Sequence, residues 1–423
     1  MIALNNTRYH AAISVLSEML VFAAPSDATM SRFFRSNPNL GGQDRHMIAE
    51  CVYGILRNKI RLEWVLGGPA NARSLLTAYL VVVERRNLRE CGGDWFPDTE
   101  KDNFALCKSK KLAEAPVYVR ADLPEWVVND LIAGGMNDAD ILALGAGLQG
   151  AAALDLRVNS LKAKREQVAA ELLDVGGVET TPTPYSPWGL RVTGKPAINK
   201  YRAFTEGRVE VQDEGSQLLG LLTGAKRGQM VVDFCAGAGG KTLLLGAMMH
   251  SSGRLYAFDV SEKRLNNFKP RLARSGLSNV SAQLISSEND QKIKRLVGKI
   301  DSVLVDAPCS GMGTVRRNPD LKFRQNPASV LELNAMQTSI LASASRLVKS
   351  AGRLVYATCS FLPSENEAIV EAFLAANPDF KLLDAPELLK AEQVEIALTG
   401  PYFKLSPHLH QADAFFAAVM QRD

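Results

Sequence analysis

The spacing of apolar residues changes along this chain. Over the first ~115 residues they recur at helical spacing, as in Arg8 to Phe22 and in Asp44 to Leu66, where Ile48 and Val52 share one face. Strand-like alternation of apolar and polar residues is absent there. The pattern therefore predicts an all-helical first domain, residues 1–115, that ends in an exposed loop from Cys91 to Lys111, which is rich in Gly, Asp, Pro and Lys.

Mixed periodicity follows from about Pro116. A helix is predicted to begin beside Pro124 and to continue to Ala133. Apolar and polar residues alternate in two segments, which predicts the strands Leu154–Asn159 and Gly189–Thr193. Between them, a helix is predicted over Lys164–Asp174. Residues 116–210 are therefore predicted to form a small α+β domain.

From Val211 onward, short apolar runs alternate with helical patterns. The predicted strands are Met230–Phe234, Leu255–Asp259, Ser281–Ile285, Ser302–Asp306, Arg353–Ala357 and, near the end, Ala412–Met420. The predicted helices are Lys241–Met249, Glu262–Ser275, Ala328–Lys349 and Ser364–Ala375. Repeated β-α-β order predicts a parallel sheet covered on both faces, so residues 211–423 form a third domain of α/β class.

Composition adds limits on location and partners. The chain has 423 residues, 46% of them hydrophobic, and a net charge of +4, which alone does not indicate a polyanionic partner. Three local basic clusters occur: Lys108–Lys111, Lys162–Arg165, and Arg316-Arg317 with Lys322 and Arg324. The third cluster follows Cys309 closely, which indicates that it holds a phosphate group. No signal peptide and no apolar run of about 18 residues is visible, so a cytoplasmic protein without membrane contact is expected.

The six cysteines show neither paired spacing nor metal-ligand spacing. A reducing compartment and the absence of a metal site are therefore expected. Cys51, Cys91 and Cys107 are interpreted as inert, buried side chains, and Cys235 as a packing residue beneath a turn. Cys309 and Cys359 stand just past strand ends in turns marked by glycine, proline or serine, which favours a chemical role for both.

A glycine-rich turn follows the predicted strand Met230–Phe234 and reads Cys235-Ala236-Gly237-Ala238-Gly239-Gly240-Lys241-Thr242. Glycines permit a tight turn and a close approach of backbone to ligand. A phosphate-binding P-loop is disfavoured, because that motif needs glycine where Cys235 stands. The turn is typical of a nucleotide-type cofactor site.

Asp259 ends the next predicted strand, about 20 residues beyond the glycines, where a carboxylate can accept hydrogen bonds from both ribose hydroxyls. Alternatively, Asp259 or Ser261 caps the helix Glu262–Ser275. S-adenosylmethionine and NAD share this geometry, so these residues leave open whether the cofactor donates a methyl group or a hydride.

The two thiols favour methyl transfer. Cys309 lies in Asp306-Ala307-Pro308-Cys309-Ser310-Gly311 and Cys359 in Thr358-Cys359-Ser360. Carbon 5 of cytosine becomes nucleophilic only after a thiolate adds to carbon 6, and a second group near the departing sulfur would help release the product. Asp306 is a candidate for hydrogen bonding to ring nitrogen-3.

The chain closely resembles the RsmB/Sun family of RNA 5-methylcytosine methyltransferases. The matching segments are Val211–Ser216, the Cys235–Thr242 turn, Asp306–Gly311 with Arg316–Asp320, and Tyr356–Ser360 followed by Glu365-Asn366-Glu367. Upstream, Leu156–Leu161 resembles the small RNA-binding subdomain of the family, and Asp44-Arg45 with Val52–Arg57 resembles the NusB-type helical domain of bacterial members.

The resemblance implies a Rossmann-like class I S-adenosylmethionine-dependent methyltransferase domain, preceded by a small α+β RNA-binding subdomain and an all-α NusB-like domain. It implies Cys359 as nucleophile and Cys309 as the thiol assisting release, with Asp306 and Lys241 at the reacting base. The residues implied to hold S-adenosylmethionine are Cys235, Ala236, Gly237, Ala238, Gly239, Gly240, Lys241, Asp259, Ser287 and Asp306.

Four positions depart from the family pattern. Gly237-Ala238 replaces Ala-Pro, and Ala414 replaces Gly in the closing Asp-Gly-Phe-Phe. Ser287, beside Glu288, Asn289 and Asp290, stands where the family often has the Asp that contacts adenine.

The expected function is methylation of cytosine carbon 5 in small-subunit ribosomal RNA, by a monomer. A tRNA substrate is one alternative, and a non-catalytic ribosome-assembly factor is another. The latter predicts loss of a thiol or of the glycine turn, and both are present. A DNA cytosine methyltransferase would carry its nucleophile in the Pro-Cys motif and would not need Cys359.

Overall fold

The computed structural model describes residues 5–87, 90 and 100–423. The chain divides into two compact units: Met1–Ala151 with Thr314–Pro327, and Ala152–Gly313 with Ala328–Asp423. The sequence predicts three domains, but helices at the start of the predicted second domain belong to the first unit. Within the described ranges, no helix is long and apolar enough to cross a membrane.

The described part of the first unit contains helices and no strand, which confirms the all-helical prediction for residues 1–115 within that part. Its core contains fully buried side chains from successive helices, among them Leu16, Val52 and Leu76. Its α-helices are Asn6–Met19, Ser26–Ser36, Gly42–Arg57, Lys59–Leu66, Ala72–Val82, Glu100–Ser109, Val117–Ala121, Glu125–Ala133, Asp138–Gln149 and Leu321–Arg324, with a 3-10 turn at Leu112–Glu114.

Two predictions for this unit are wrong. The helix predicted over Asp44 to Leu66 is broken at Asn58, whose side-chain Nδ2 donates to the Gly54 carbonyl at 2.9 Å and so competes with the backbone. The predicted exposed loop contains the helix Glu100–Ser109, because Thr77 donates to the buried Glu100 carboxylate at 2.8 Å and Cys107 is buried. Residues 91–99, Cys91 among them, lie outside the described residues.

Lys322 of the third basic cluster has a structural position. Its ammonium is buried, forms a 3.1 Å ion pair with Asp122, and donates to the carbonyls of Arg57 and Asp122 at 2.8 Å. These partners use all three of its donors. Lys322 therefore cannot hold phosphate, which corrects the prediction for that residue.

The second unit begins with a small antiparallel sheet. Its strands are β1 (Leu154–Val158), β2 (Thr180–Pro182), β3 (Gly189–Val192) and β4 (Val209–Val211), in the order β2-β3-β1-β4. The helix Arg165–Gly176 and the short helix Arg202–Thr205 accompany it, with a 3-10 turn at Ile198–Lys200. β1, β3 and the helix Arg165–Gly176 confirm the prediction to within two residues, and the other elements of this part were not predicted.

An eight-stranded sheet occupies the rest of this unit. Its strands are β5 (Met230–Asp233), β6 (Arg254–Asp259), β7 (Val280–Leu284), β8 (Ile300–Asp306), β9 (Val348–Thr358), β10 (Phe380–Leu383), β11 (Phe403–Lys404) and β12 (Phe416–Arg422). The helices are Glu214–Leu222, Gly240–Met248, Glu262–Ser275, Gln291–Lys294, Pro327–Ser345, Glu367–Ala376, Ala385–Ala391 and Pro407–His410, and the 3-10 turns are Met312–Thr314 and Pro363–Glu365.

The order of this sheet is β10-β12-β9-β8-β5-β6-β7, with β11 paired to β12. β5 to β9 are parallel, and β10, β11 and β12 are antiparallel. Successive residues of β5 enter opposite cores, Val232 on one face and Val231 on the other. This arrangement confirms the predicted Rossmann-like fold.

The order of the sheet reverses between β5 and β8, because the chain runs from β5 outward to β7 and then returns to β8 on the other side. Ligands of open α/β sheets bind at the carboxyl ends of the strands that flank such a point. One boundary prediction nearby is wrong. The helix predicted to end at Lys349 ends at Ser345, because Val348 begins the long strand β9.

Candidate functional site

The turn after β5 depends on glycine at two positions. Gly237 and Gly239 have φ of 56° and 79°. A Cβ on Gly239 would lie 1.9 Å from a ring carbon of Phe268, so a side chain there is excluded. A Cβ on Gly237 would meet nothing within 4 Å, because the turn opens onto a cavity.

Asp259, at the end of β6, holds that turn in place. Its buried carboxylate accepts from the Gly237 backbone N–H at 2.8 Å and from the Ser261 backbone N–H at 2.7 Å. Arg264 lies 3.3 Å from the same carboxylate. The helix cap is Ser261, whose side chain accepts from the backbone N–H of Arg264, so the alternative of Asp259 as the cap is wrong.

A cavity of about 820 Å³ opens at the carboxyl ends of the strands, and most of the residues predicted to hold the cofactor line it. These are Cys235, Ala236, Gly237, Ala238, Gly240, Lys241, Asp259, Ser287 and Asp306. Gly239 instead packs against Phe268. Sequence reasoning missed lining residues from two helices, which carry no motif: Arg264, Arg271, Leu333, Met336 and Ile340.

S-adenosylmethionine fits this cavity on its chemistry. The lining includes Asp233, whose Oδ1 is buried without a hydrogen-bond partner, and the apolar side chains of Leu333, Met336 and Ile340. An ammonium or hydroxyl group of the cofactor can satisfy the orphaned oxygen, while the apolar wall suits its adenine and methyl groups.

The segment expected to contact adenine consists of Ser287 and the three residues that follow it. Ser287 and Glu288 line the cavity. Asp290 accepts from the backbone N–H of Lys292 and of Ser286, both at 2.9 Å, and these bonds lower the pKa of Asp290 to about 2. Asp290 thus caps the short helix that follows, which leaves Ser287 and Glu288 as candidates.

The buried carboxyl group of Asp233, at the end of β5, is expected to make the free energy of unfolding depend on pH. Burial raises the pKa of Asp233 from 3.8 to about 7, against the hydrogen bond that it accepts from Thr242 at 2.6 Å. Between these values the folded state keeps a proton that the unfolded state has lost, so this group makes stability fall as the pH rises through the window.

We expect Asp233→Asn, which mimics the protonated form, to flatten that dependence. Urea unfolding gives the free energy of unfolding of the variant and of the natural protein at pH 5 and at pH 8. The change between the two pH values is then compared between the two proteins, so that the contributions of all other titrating groups cancel. Equal changes with pH in the two proteins would contradict the assignment.

Lys241 and Asp306 form an ion pair beside the cavity. Lys241, in the first turn of the helix Gly240–Met248, donates from Nζ to Asp306 Oδ2 at 2.7 Å. Burial acts to lower the pKa of Lys241, but the Asp306 carboxylate outweighs it and the pKa is raised. Lys241 is therefore a cation that also faces the Phe415 ring, 5.8 Å from its centroid.

Cys309 and Cys359 meet above the ends of β8 and β9. Their sulfur atoms lie 3.4 Å apart, and both are free thiols that are partly exposed. The hydrogen bond with Cys359 and burial raise the pKa of Cys309 well above its usual range. Cys309 is therefore a neutral thiol next to Cys359 and can donate a hydrogen bond to it.

The other described cysteines lie apart from this pair. Burial raises the pKa of Cys51 to about 12 and of Cys107 to about 11, as expected of unreactive thiols. Burial also raises the pKa of Cys235, which lines the cofactor cavity. Of the five described cysteines, only Cys309 and Cys359 form a close pair.

Comparison with known proteins identifies the family. The family model named 16S rRNA methyltransferase RsmB/F matches residues 221–421. A Synechocystis sp. protein, named probable ribosomal RNA small subunit methyltransferase B, is 34% identical over 94% of this chain and 95% of its own length.

Solved structures share the fold. The crystal structure of PH0851 superposes with a TM-score of 0.78 at 24% identity and covers 99% of both chains. That of NSun6 from Pyrococcus horikoshii with SFG has a TM-score of 0.61 at 19% identity, over 71% of this chain and 98% of that one. With a relative that matches nearly its whole length and a family model that matches its larger sheet, the chain belongs to the RsmB/Sun family of RNA 5-methylcytosine methyltransferases, enzymes whose methyl donor is S-adenosylmethionine.

Proposed function

We propose that this protein methylates carbon 5 of a cytosine in small-subunit ribosomal RNA and that Cys359 forms the covalent link to the base. The observation that carries the proposal is the thiol pair, 3.4 Å apart, at the ends of adjacent strands. The Lys241–Asp306 pair and the cofactor cavity lie at the same edge of the sheet. The names of the relatives support ribosomal RNA as the substrate class.

Cys359 starts the reaction. Its thiolate adds to carbon 6 of cytosine, a sulfur–carbon bond forms, and the electron pair of the 5,6 double bond moves into the ring. S-adenosylmethionine, when bound, supplies an electrophilic methyl group for carbon 5. A base then removes the proton on carbon 5, the double bond returns, and the bond to the Cys359 sulfur breaks.

Cys309 acts at the last of these steps. The departing sulfur leaves as a thiolate, which a nearby acid stabilises. Cys309 is a neutral thiol and its sulfur is 3.4 Å from that of Cys359, so it can donate a hydrogen bond to the leaving thiolate and stabilise its negative charge. This geometry supports Cys309 as the group that assists release.

Lys241 and Asp306 stabilise the activated ring. Negative charge develops toward ring nitrogen-3 when the thiolate adds, and a fixed hydrogen-bond donor there lowers the barrier. The ammonium of Lys241 is such a donor, and Asp306 orients it at 2.7 Å. A carboxylate in an ion pair is an acceptor, so Asp306 is suited to the exocyclic amino group rather than to acting as an acid.

The helical unit and the small sheet β1–β4 supply the RNA contacts in this proposal, in agreement with the resemblance of their sequences to RNA-binding modules. Besides Lys322, the 314–327 segment carries three arginines. Arg316 is buried, whereas Arg317 is partly exposed and Arg324 is exposed in a 3.3 Å ion pair with Asp320, so the last two are accessible to phosphate. Base extrusion is required if the target cytosine is paired.

The test is the identity and location of the methylated nucleoside. The full chain is incubated with methyl-labelled S-adenosylmethionine and either unmodified small-subunit ribosomal RNA or tRNA, and the RNA is digested and its nucleosides separated. We expect labelled 5-methylcytidine from the ribosomal RNA only. Label in tRNA alone would favour the tRNA alternative, and label in neither RNA would favour the non-catalytic one.

A further inference from the structure

A buried carboxylate lies behind the two thiols and takes no part in the chemistry above. Glu365, in the 3-10 turn Pro363–Glu365, is fully buried. Its Oε1 accepts from the backbone N–H of Ser310 at 2.8 Å, and its Oε2 accepts from the Ser310 hydroxyl at 2.5 Å. Gln337 donates to the same carboxylate at 3.0 Å and to the Pro308 carbonyl at 2.9 Å.

The carboxylate thereby ties down both thiol-bearing loops. Ser310 directly follows Cys309, and its hydroxyl lies 3.3 Å from that of Ser360, which directly follows Cys359. Asn366, next to Glu365, donates to the Ser360 carbonyl at 3.0 Å. Each cysteine is thus followed by a serine that belongs to one hydrogen-bonded cluster.

A second set of bonds fixes the strand before Cys359. Thr358 donates from its hydroxyl to Asn366 Oδ1 at 2.6 Å, and Tyr356 donates to the Glu365 carbonyl at 2.7 Å. Residues on both sides of Cys359 are therefore held by Glu365 and Asn366, which lie six and seven positions further along the chain.

Burial of a carboxylate is costly, and a well-packed apolar group usually costs less. Glu365 is completely removed from solvent, and its carboxylate accepts hydrogen bonds from the Cys309 loop and from Gln337. Both oxygens of this carboxylate are hydrogen-bonded, and a buried charge satisfied in this way fixes the arrangement of the groups that donate to it. The groups attached to this one are the two cysteine-bearing loops.

We propose that Glu365 is a positioning residue that holds the Cys309 and Cys359 sulfurs at the spacing needed for product release. This inference rests on the proposed function of the two thiols. Loss of the carboxylate frees the Cys309 loop, so attack by Cys359 continues while release, which needs both sulfurs, slows.

The first measurement reports thiol spacing without RNA or cofactor. Diamide oxidises two neighbouring thiols to a disulfide and is itself reduced to the hydrazine, which takes up the two hydrogens. The rate at which Cys309 and Cys359 become linked, followed by mass spectrometry of the peptides from the full chain, measures how often the sulfurs meet. We expect Glu365→Ala to link them roughly tenfold more slowly than the natural protein.

Glu365→Gln is the conservative variant. Its amide oxygen can accept from the Ser310 N–H and its amide nitrogen can donate to the Ser310 hydroxyl, so we expect a linking rate close to that of the natural protein. If Glu365→Ala does not fold, Glu365→Asp, which is shorter by one methylene, takes its place with the same expectation.

Glu214 offers a matched control. It is equally buried and accepts from the backbone N–H groups of Tyr185 and Ser186, at 2.6 and 2.7 Å, rather than from a thiol loop. Glu214→Ala should lose stability as Glu365→Ala does, yet link its thiols at the natural rate.

The second measurement is the covalent RNA complex on a denaturing gel. Glu365→Ala should accumulate this complex, as Cys309→Ala is expected to, while Glu214→Ala should not. If diamide links Cys309 and Cys359 in Glu365→Ala as fast as in the natural protein, the inference is overturned. If no variant forms a complex, Cys309→Ala included, the proposed function has failed, and the linking rates still decide the role of Glu365.

Discussion

Cys359→Ala abolishes methyl transfer and forms no covalent complex with RNA, whereas Cys309→Ala accumulates such a complex in the presence of S-adenosylmethionine. The first result is expected because carbon 5 is unreactive until sulfur adds to carbon 6. The second is expected because Cys359 still adds and the methyl group still transfers, but no proton donor lies 3.4 Å from the leaving sulfur. We expect the two variants to be equally well folded, since each replaces one small, partly exposed side chain.

The measurement is a denaturing gel of labelled small-subunit ribosomal RNA after incubation with each variant. Cys107→Ala, a buried thiol of the helical unit, is the control and should behave as the natural protein does. A complex with Cys359→Ala and none with Cys309→Ala would reverse the roles and point to the mechanism of the DNA enzymes.

Asp306→Ala lowers the rate of methyl transfer by roughly 10²- to 10⁴-fold, the range typical of a lost acid–base or orienting group. Two effects combine. The base loses an acceptor for its amino group, and Lys241 loses the partner that raises its pKa while the burial that lowers its pKa remains. The donor that stabilises the activated ring is then neither oriented nor reliably charged.

Calorimetric titration with S-adenosylmethionine separates the two roles assigned to Asp306, since its side chain also lines the cofactor cavity. If Asp306 acts on the base, single-turnover methylation falls while affinity for the cofactor changes by less than about tenfold. An equal fall in both would place Asp306 with the cofactor alone. Asp259→Ala is the comparison, because its carboxylate holds the glycine turn, so cofactor affinity should fall most there.

The elements that carry the site were predictable because their signals are local. Each parallel strand from β5 to β9 is a short apolar run next to a turn, and the structure places all five within a few residues of the prediction, apart from the early start of β9. Cys309 and Cys359 could be expected to meet, since both follow parallel strands that end at the same edge. The structure brings their sulfurs to 3.4 Å.

Features that depend on distant partners were not predictable. Glu365 lies in the polar stretch Pro363-Ser364-Glu365, where a solvent-exposed carboxylate is the ordinary expectation, and its burial depends on Ser310, 55 residues away. Lys322 belongs to a basic cluster that is typical of a phosphate site. Its ion-pair partner, Asp122, lies 200 residues away in the sequence. No periodicity in a single sequence records such pairs.

The contact at Gly313 links the site to the C-terminal strand. A Cβ there would lie 2.0 Å from the Ala414 carbonyl oxygen and 2.8 Å from that of Cys359, and Gly313 donates its backbone N–H to Cys359 at 2.9 Å. Strand β12 then pairs with the strand that ends before Cys359, Phe416 opposite Thr358. During synthesis, both cysteines leave the ribosome well before residues 412–422 do. The turn at Gly313 therefore gains its contact with Ala414, and β9 its antiparallel neighbour, only after that segment has been translated and has added to the sheet.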